Sequence, residues 1–168
     1  MREPGTDAVG TVLRPARADE LDALARLWHD SWQDAHAAIL PEALQQVRTL
    51  PSFRLRLREL LPRVRVAEMG GKAVGFAIVE DDELYQLFVS AAARGTGAAA
   101  ALVADAEGIM AAEGVETAWL ACAIGNQRAA RFYEKCGWRP LGEMVSPLPM
   151  PDGSTLELRV WRYEKRLR

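Results

Sequence analysis

The segment that decides the fold is Glu83-Leu84-Tyr85-Gln86-Leu87-Phe88-Val89-Ser90, followed by Arg94-Gly95-Thr96-Gly97 and the run from Ala98 to Ala112. Leu84 to Val89 is rich in the aromatic and aliphatic residues that pack on a pleated surface, so it reads as a strand. Ala98 to Ala112 is mostly Ala, Leu, Val, Ile and Met, and Gly114 stands where a helix ends in a left-handed residue. A turn with two glycines that feeds straight into a helix leaves several backbone N–H groups aimed at one spot. Such a spot binds anions, phosphate above all.

Three phosphate-turn patterns compete for this segment. A P-loop needs Gly-Lys-Ser/Thr at the helix start, and Gly97 is followed by Ala98 and Ala99, which excludes it. The dinucleotide fingerprint is filled by Gly95, Gly97 and Ala100, but it also needs an acidic residue about 20 residues further on. The next strand ends Ala121-Cys122-Ala123, with no carboxylate. The third pattern, Arg/Gln-x-x-Gly-x-Gly/Ala, is filled by Arg94, Gly97 and Ala99. Downstream, Asn126-Gln127-Arg128-Ala129-Ala130-Arg131-Phe132-Tyr133-Glu134-Lys135-Cys136-Gly137-Trp138 fills N-x-x-A-x-x-F-Y-x-x-x-G-[F/W] at every fixed position. Together these two segments resemble the pyrophosphate loop and the second signature of the GNAT superfamily of acyl-CoA N-acyltransferases. The resemblance is specific over residues 74–138 and topological outside them.

The resemblance implies a mixed α/β, three-layer fold. Its central sheet has six to seven strands, mostly antiparallel, with one parallel, splayed strand pair and helices on both faces. It implies acetyl-CoA as acyl donor and an amine, on a small molecule or a peptide, as acceptor. The pyrophosphate falls to Arg94, Gly95, Thr96, Gly97, Ala98 and Ala99, the pantetheine arm to Phe88, Val89, Ser90 and Asn126, and the thioester sulfur to Tyr133. The Val89 N–H is the candidate donor to the oxyanion. An amine of pKa about 10.4 is neutral in only about one molecule in two thousand at pH 7, a deficit of roughly 4.6 kcal/mol, so a base is needed. Glu83, eleven residues before Arg94, resembles the base of the histone-acetylating branch; it is also one of three acids in the turn Asp81-Asp82-Glu83. Tyr133 is the candidate general acid for the departing thiolate, or else a tyrosine packed beside Phe132. Two other functions stay open: a non-catalytic acyl-CoA-binding module, and an NAD-binding domain.

Composition narrows the field. The chain has 168 residues, 49% hydrophobic, enough for one domain with a substantial core. A formal net charge of -2 argues against a protein that coats nucleic acid. Residues 1–10 read as a flexible terminal segment without the apolar run of a signal peptide, and Asp105 and Glu107 interrupt the Ala-rich helix before it could span a bilayer. The expected location is cytoplasmic, with no membrane partner. Cys122 and Cys136 read as two buried, reduced thiols. His29 and His36, seven residues apart with no cysteine near, do not make a metal site.

Around the central segment, Thr11 to Arg14 reads as a strand stopped by Pro15, and Asp19 as the cap of a helix over residues 20–37. Trp28, Trp32 and His36 lie on that helix; the resemblance implies an acceptor-binding wall there, and the other reading is core packing for the tryptophans and solvent contact for the histidines. Helices are expected over residues 42–47 and, with Ser52 as cap, from Phe53 to Leu61; the arginines there read as a solvated face. Strands 63–68 and 73–79 join through Gly70-Gly71, and a strand over 117–123 runs parallel to 84–89. Asn126 caps the following helix and Gly137 ends it. Trp138 to Val145 is then a strand, Ser146 to Pro151 a proline-rich loop, and Thr155 to Tyr163 a last strand. Exposed Trp161 and Tyr163 on that last strand point to a possible homodimer.

Overall fold

The computed structural model describes residues 10–168. All of the segment expected to be flexible except Gly10 lies outside the described residues. Seven strands form one sheet in the order β1-β2-β3-β4-β5-β7-β6: β1 Val12–Pro15, β2 Val64–Met69, β3 Lys72–Glu80, β4 Glu83–Val89, β5 Thr117–Ala123, β6 Arg139–Pro149 and β7 Thr155–Arg166. Every neighbouring pair is antiparallel except β4 and β5. The helices are α1 Leu21–His36, α2 Glu42–Val47, α3 Leu50–Leu60, α4 Ala98–Ala112 and α5 Gln127–Lys135.

Two cores lie on opposite faces of the sheet. On one face the buried stripe of α4, Leu102, Val103, Ala106 and Met110, packs against Ala77, Leu84, Ala118 and Leu120. On the other, Leu24, Trp28 and Trp32 of α1 and Phe53 and Leu57 of α3 pack against Val64, Val66, Phe76 and Ile78. Three layers result, each helix burying one stripe at the helical repeat while the strands alternate between faces.

Several local expectations are corrected. Asp19 does not cap α1: the Glu20 carboxylate accepts the Arg17 N–H at 2.8 Å instead and also pairs with Arg14. Thr49, not Ser52, caps α3 by accepting the Ser52 N–H at 3.3 Å, and Pro51 sits in the first turn, where a missing N–H costs nothing. The stretch from Ser146 to Pro149 is not a loop but the outer half of β6, paired with β7 through Pro149 opposite Thr155. Prolines are tolerated there because β6 is the edge of the sheet. The last strand, β7, lies between β5 and β6 with Tyr163 buried, so it offers no free edge for a homodimer.

Candidate active site

The site begins where β4 and β5 part. At their start they are joined: Glu83 stands opposite Trp119, the Asp82 carbonyl accepts the Trp119 N–H at 3.0 Å, and the Asp82 carboxylate accepts the Trp119 indole N–H at 3.1 Å. Beyond that point the two strands do not pair. On the other side of β4, Val79 faces Leu84 but Ile78 faces Gln86, so Tyr85 is an extra, bulged residue. A bulge bends its strand and adds twist, which turns β4 away from β5. The opening is a cavity of about 430 Å³, lined by Leu84 to Val89 on one side and Ala121 to Ala123 on the other.

The free edge of β4 faces this cavity. The Ser90 N–H donates to the Val74 carbonyl of β3 at 2.8 Å. Hydrogen bonds alternate along an antiparallel pair, so the N–H groups of Val89 and Leu87 turn the other way, toward β5. At the far end of β4 the chain enters the glycine turn. Gly95 and Gly97 have φ of 77° and 86°, which a side chain would strain, and Gly97 is the N-cap of α4. The N–H groups of Gly95, Gly97, Ala99 and Ala100 find no acceptor among the described residues. Four amides thus stand without a partner at a helix start that has no side-chain cap, where the spacing leads one to expect an anion.

Close packing brings α4 to that position. Gly75 of β3 lies opposite Val89, and a Cβ there would meet the Phe88 carbonyl oxygen at 2.9 Å, Val89 Cγ2 at 2.9 Å and Leu102 Cδ1 at 3.2 Å. Its role went unread in the sequence, although a lone glycine within a strand pattern is the usual sign of such an approach.

The structure brings Phe88, Val89, Arg94, Gly95, Gly97, Ala98, Ala99, Asn126 and Tyr133 to the one cavity. Ser90 and Thr96 stand outside its wall. Thr96 shapes the turn, its hydroxyl donating to the Ala93 carbonyl and accepting the Ala98 N–H at 3.4 Å. Asn126 caps α5 by accepting the Ala129 N–H at 3.2 Å. Of the candidate acceptor wall, only His36 lines the cavity. Trp28 is fully buried against Phe53, Phe76 and Phe88, and Trp32 is 6% exposed, so both are core residues.

Around the opening, the groups displaced farthest from their ordinary ranges are Tyr133, Glu83, His36 and Cys122. Burial pushes the Tyr133 phenol well up, so it keeps its proton at any working pH, and its hydroxyl has no hydrogen-bond partner among the described residues. Burial, then the charges of Glu80 and Asp82, raise Glu83 to about 7, against the pull of Arg162. Glu83 lies outside the cavity wall, at the joined end of the strand pair, six residues or ~20 Å from Val89. Burial lowers His36 to about 4 and raises Cys122, which lines the cavity, to about 11. Cys136 is half-buried, where a fully buried thiol was expected.

Asp34 had no signal in the sequence. It lies on α1 and pairs with Arg94 of the glycine turn and with Arg128 at 3.6 Å. Among the described residues no group of three or more His, Cys, Asp or Glu stands close enough to hold a metal ion, and no helix is long and apolar enough to cross a membrane.

Known proteins share this fold. The model of the acetyltransferase (GNAT) family matches residues 21–138. An uncharacterised N-acetyltransferase of Mycobacterium bovis is 34% identical over 111 residues, covering 61% of this chain and 71% of that protein. The structure of a GCN5-related N-acetyltransferase from Rhodopseudomonas palustris superposes with a TM-score of 0.73 at 21% identity, over 93% of this chain and 95% of its own. The PaiA N-acetyltransferase of Thermoplasma acidophilum, solved in complex with coenzyme A, gives 0.64 at 19% identity, over 94% and 99%. These structural likenesses show the shared fold; with the family match over most of its length, the chain belongs to the acetyltransferase (GNAT) family.

Proposed function

We propose that this protein is an N-acetyltransferase that moves the acetyl group of acetyl-CoA directly to an amine, with Tyr133 as general acid and Glu83, through water, as general base. One observation carries the reading: a single cavity joins four amides, unpaired among the described residues, to the free edge of β4 and to the Tyr133 phenol. The amides of Gly95, Gly97, Ala99 and Ala100 would hold the diphosphate, with Arg94 adding charge. The outward N–H groups of Leu87 and Val89 would hold the pantetheine arm and the developing oxyanion. Acetyl-CoA supplies an activated thioester. Tyr133, kept protonated by burial, gives its proton to the sulfur as the carbon–sulfur bond breaks. Glu83, which titrates near neutrality and stands outside the cavity wall, receives the amine proton through water as the carbon–nitrogen bond forms.

Direct transfer is favoured over a cysteine-bound acetyl group. With its pKa at about 11, Cys122 is thiolate in only about one molecule in ten thousand at pH 7, and the thiolate is the nucleophile. Tyr133→Phe is expected to lower kcat by one to two orders of magnitude while calorimetry shows acetyl-CoA affinity nearly intact. Unchanged turnover removes Tyr133 from the mechanism. Silence of the wild type across a broad amine panel, with acetyl-CoA still bound, would favour a non-catalytic acyl-CoA-binding module.

A further inference from the structure

Half-buried cations in this protein come with partners. Arg14 pairs with Glu20 and Glu68, Arg65 with Asp105, Arg162 with Glu164, and Lys165 with Glu107. The two remaining half-buried cations, Arg48 and Arg56, have no carboxylate within 4.0 Å among the described residues. They also act on each other. Burial, and then the charge of Arg56, hold the Arg48 guanidinium below its ordinary range. Two like charges drawn partly out of water and left without a counterion are costly, and a fold keeps them where an anion completes the site.

Neither guanidinium lines the cavity itself, but Arg56 reaches its wall through Tyr85. The Arg56 guanidinium lies 4.4 Å from the Trp28 ring centroid and donates to the Tyr85 hydroxyl at 2.9 Å. Tyr85 is the bulged residue of β4 and lines the cavity. From Tyr85 to Leu87, whose N–H turns toward β5, is two residues or ~7 Å of strand, the length of a small amino acid. Stacking and the phenol hold the Arg56 fork in place, which leaves its remaining donors for a planar oxyanion.

We propose that Arg48 and Arg56 form the anion-binding end of the acceptor site, so that the amine acetylated by this protein carries a carboxylate or phosphate group. This assignment rests on acetyl transfer for its substrate, but the anion site itself is separately measurable. The test compares β-alanine, phosphoethanolamine and ethanolamine as acceptors at saturating acetyl-CoA. The anionic amines are expected to exceed ethanolamine at least tenfold in kcat/KM, and the better of the two identifies the anion. In Arg48→Gln and Arg56→Gln that preference should fall to within about threefold, the loss lying in KM, while Arg56→Lys keeps part of it and acetyl-CoA affinity stays unchanged. Equal use of ethanolamine by the wild type, or a preference that survives in the double variant, overturns the proposal.

A direct binding measurement runs alongside. Glutarate and phosphate at 10 mM should each be tested for a rise in the melting temperature of the coenzyme A complex. A rise in the wild type that is lost in Arg48→Gln supports the anion site even if none of the three amines turns over. Arg48→Gln removes one of two repelling charges, so its own melting temperature should hold or rise. No rise with either anion in the wild type, together with no anionic preference, overturns the site, whereas failure to bind acetyl-CoA would count against the transfer reaction alone.

Discussion

The two sides of the β4–β5 opening are built from different material. The donor side is backbone and small residues: Gly95, Gly97, the alanines that open α4, and Ala121, Ala123 and Ala129. The other side is aromatic and cationic, with Trp28, Phe53 and Phe76 in the core, His36, Tyr85 and Phe88 on the cavity wall, and Arg56 behind it, over Trp28 and bonded to Tyr85. A ligand held by main-chain amides constrains spacing and residue size. A ligand held by side chains constrains identity instead, and many identities will build a wall. The first kind of site repeats as a pattern across a family, while the second records one protein's own substrate.

The sharpest break in this comparison is Gly97→Val. Gly97 has φ of 86°, which a β-branched residue resists, and its amide is one of the four at the anion site. Acetyl-CoA affinity by calorimetry is expected to fall more than about 100-fold, the scale of several lost charge-assisted hydrogen bonds. The thermal response to glutarate or phosphate should survive, because the acceptor side does not depend on that turn. Affinity within tenfold of the wild type would show that the turn does not bind the diphosphate.

The same division explains what was legible beforehand. The Gly95–Gly97 turn and the signature from Asn126 to Trp138 are matters of spacing, and spacing is visible in one chain; the unpaired end of β4 was expected only through the family resemblance that those two patterns carry. Gly75 and the bulge at Tyr85 are long-range effects: their meaning depends on Leu102 and Val89, which arrive only when the sheet is assembled. The tryptophans could be read either as core or as wall for a related reason. Trp28 and Trp32 share a helix face with His36, but a face of three turns is deeper than one wall, and only its end reaches the cavity. The edge prolines of β6 looked like a loop because an edge position has no local signature. Asp34 and the Arg48–Arg56 pair were likewise unreadable, since Asp34 meets Arg94 from 60 residues away and Arg56 meets Tyr85 from 29 residues away.

A smaller effect sharpens the role given to Glu83. Its carboxyl titrates at about 7 in the fold against 4.5 for the ordinary group. The folded state therefore binds the extra proton between those values, so this group's contribution to stability is full below about 4.5 and is lost as pH rises through 7. Glu83→Gln should be more stable than the wild type at pH 8, on the order of 2 kcal/mol after allowance for residual solvent, with the difference vanishing near pH 4. In the same variant the rise of kcat/KM through pH 7 should flatten, with a loss of about tenfold or more at the plateau. A stability gain without any kinetic change would leave Glu83 a strained turn acid and hand the proton to another path.

The least effect expected tests the border between the two sides. Asp34 stands on α1, yet its carboxylate pairs with Arg94 of the glycine turn and with Arg128 of α5. Arg94 holds the Asp34 carboxyl below its usual range, and the pair is exposed, 39% on Arg94 and 51% on Asp34. A diphosphate and Asp34 compete for the same guanidinium, and Asp34 also places a negative charge beside the anion site. Asp34→Asn should therefore tighten acetyl-CoA binding roughly threefold at low salt, with the gain fading at 0.5 M salt as screening sets in. If binding weakens instead, Asp34 is holding Arg94 in position for the diphosphate, and the acceptor-side helix is then part of the donor site rather than a neighbour that opposes it.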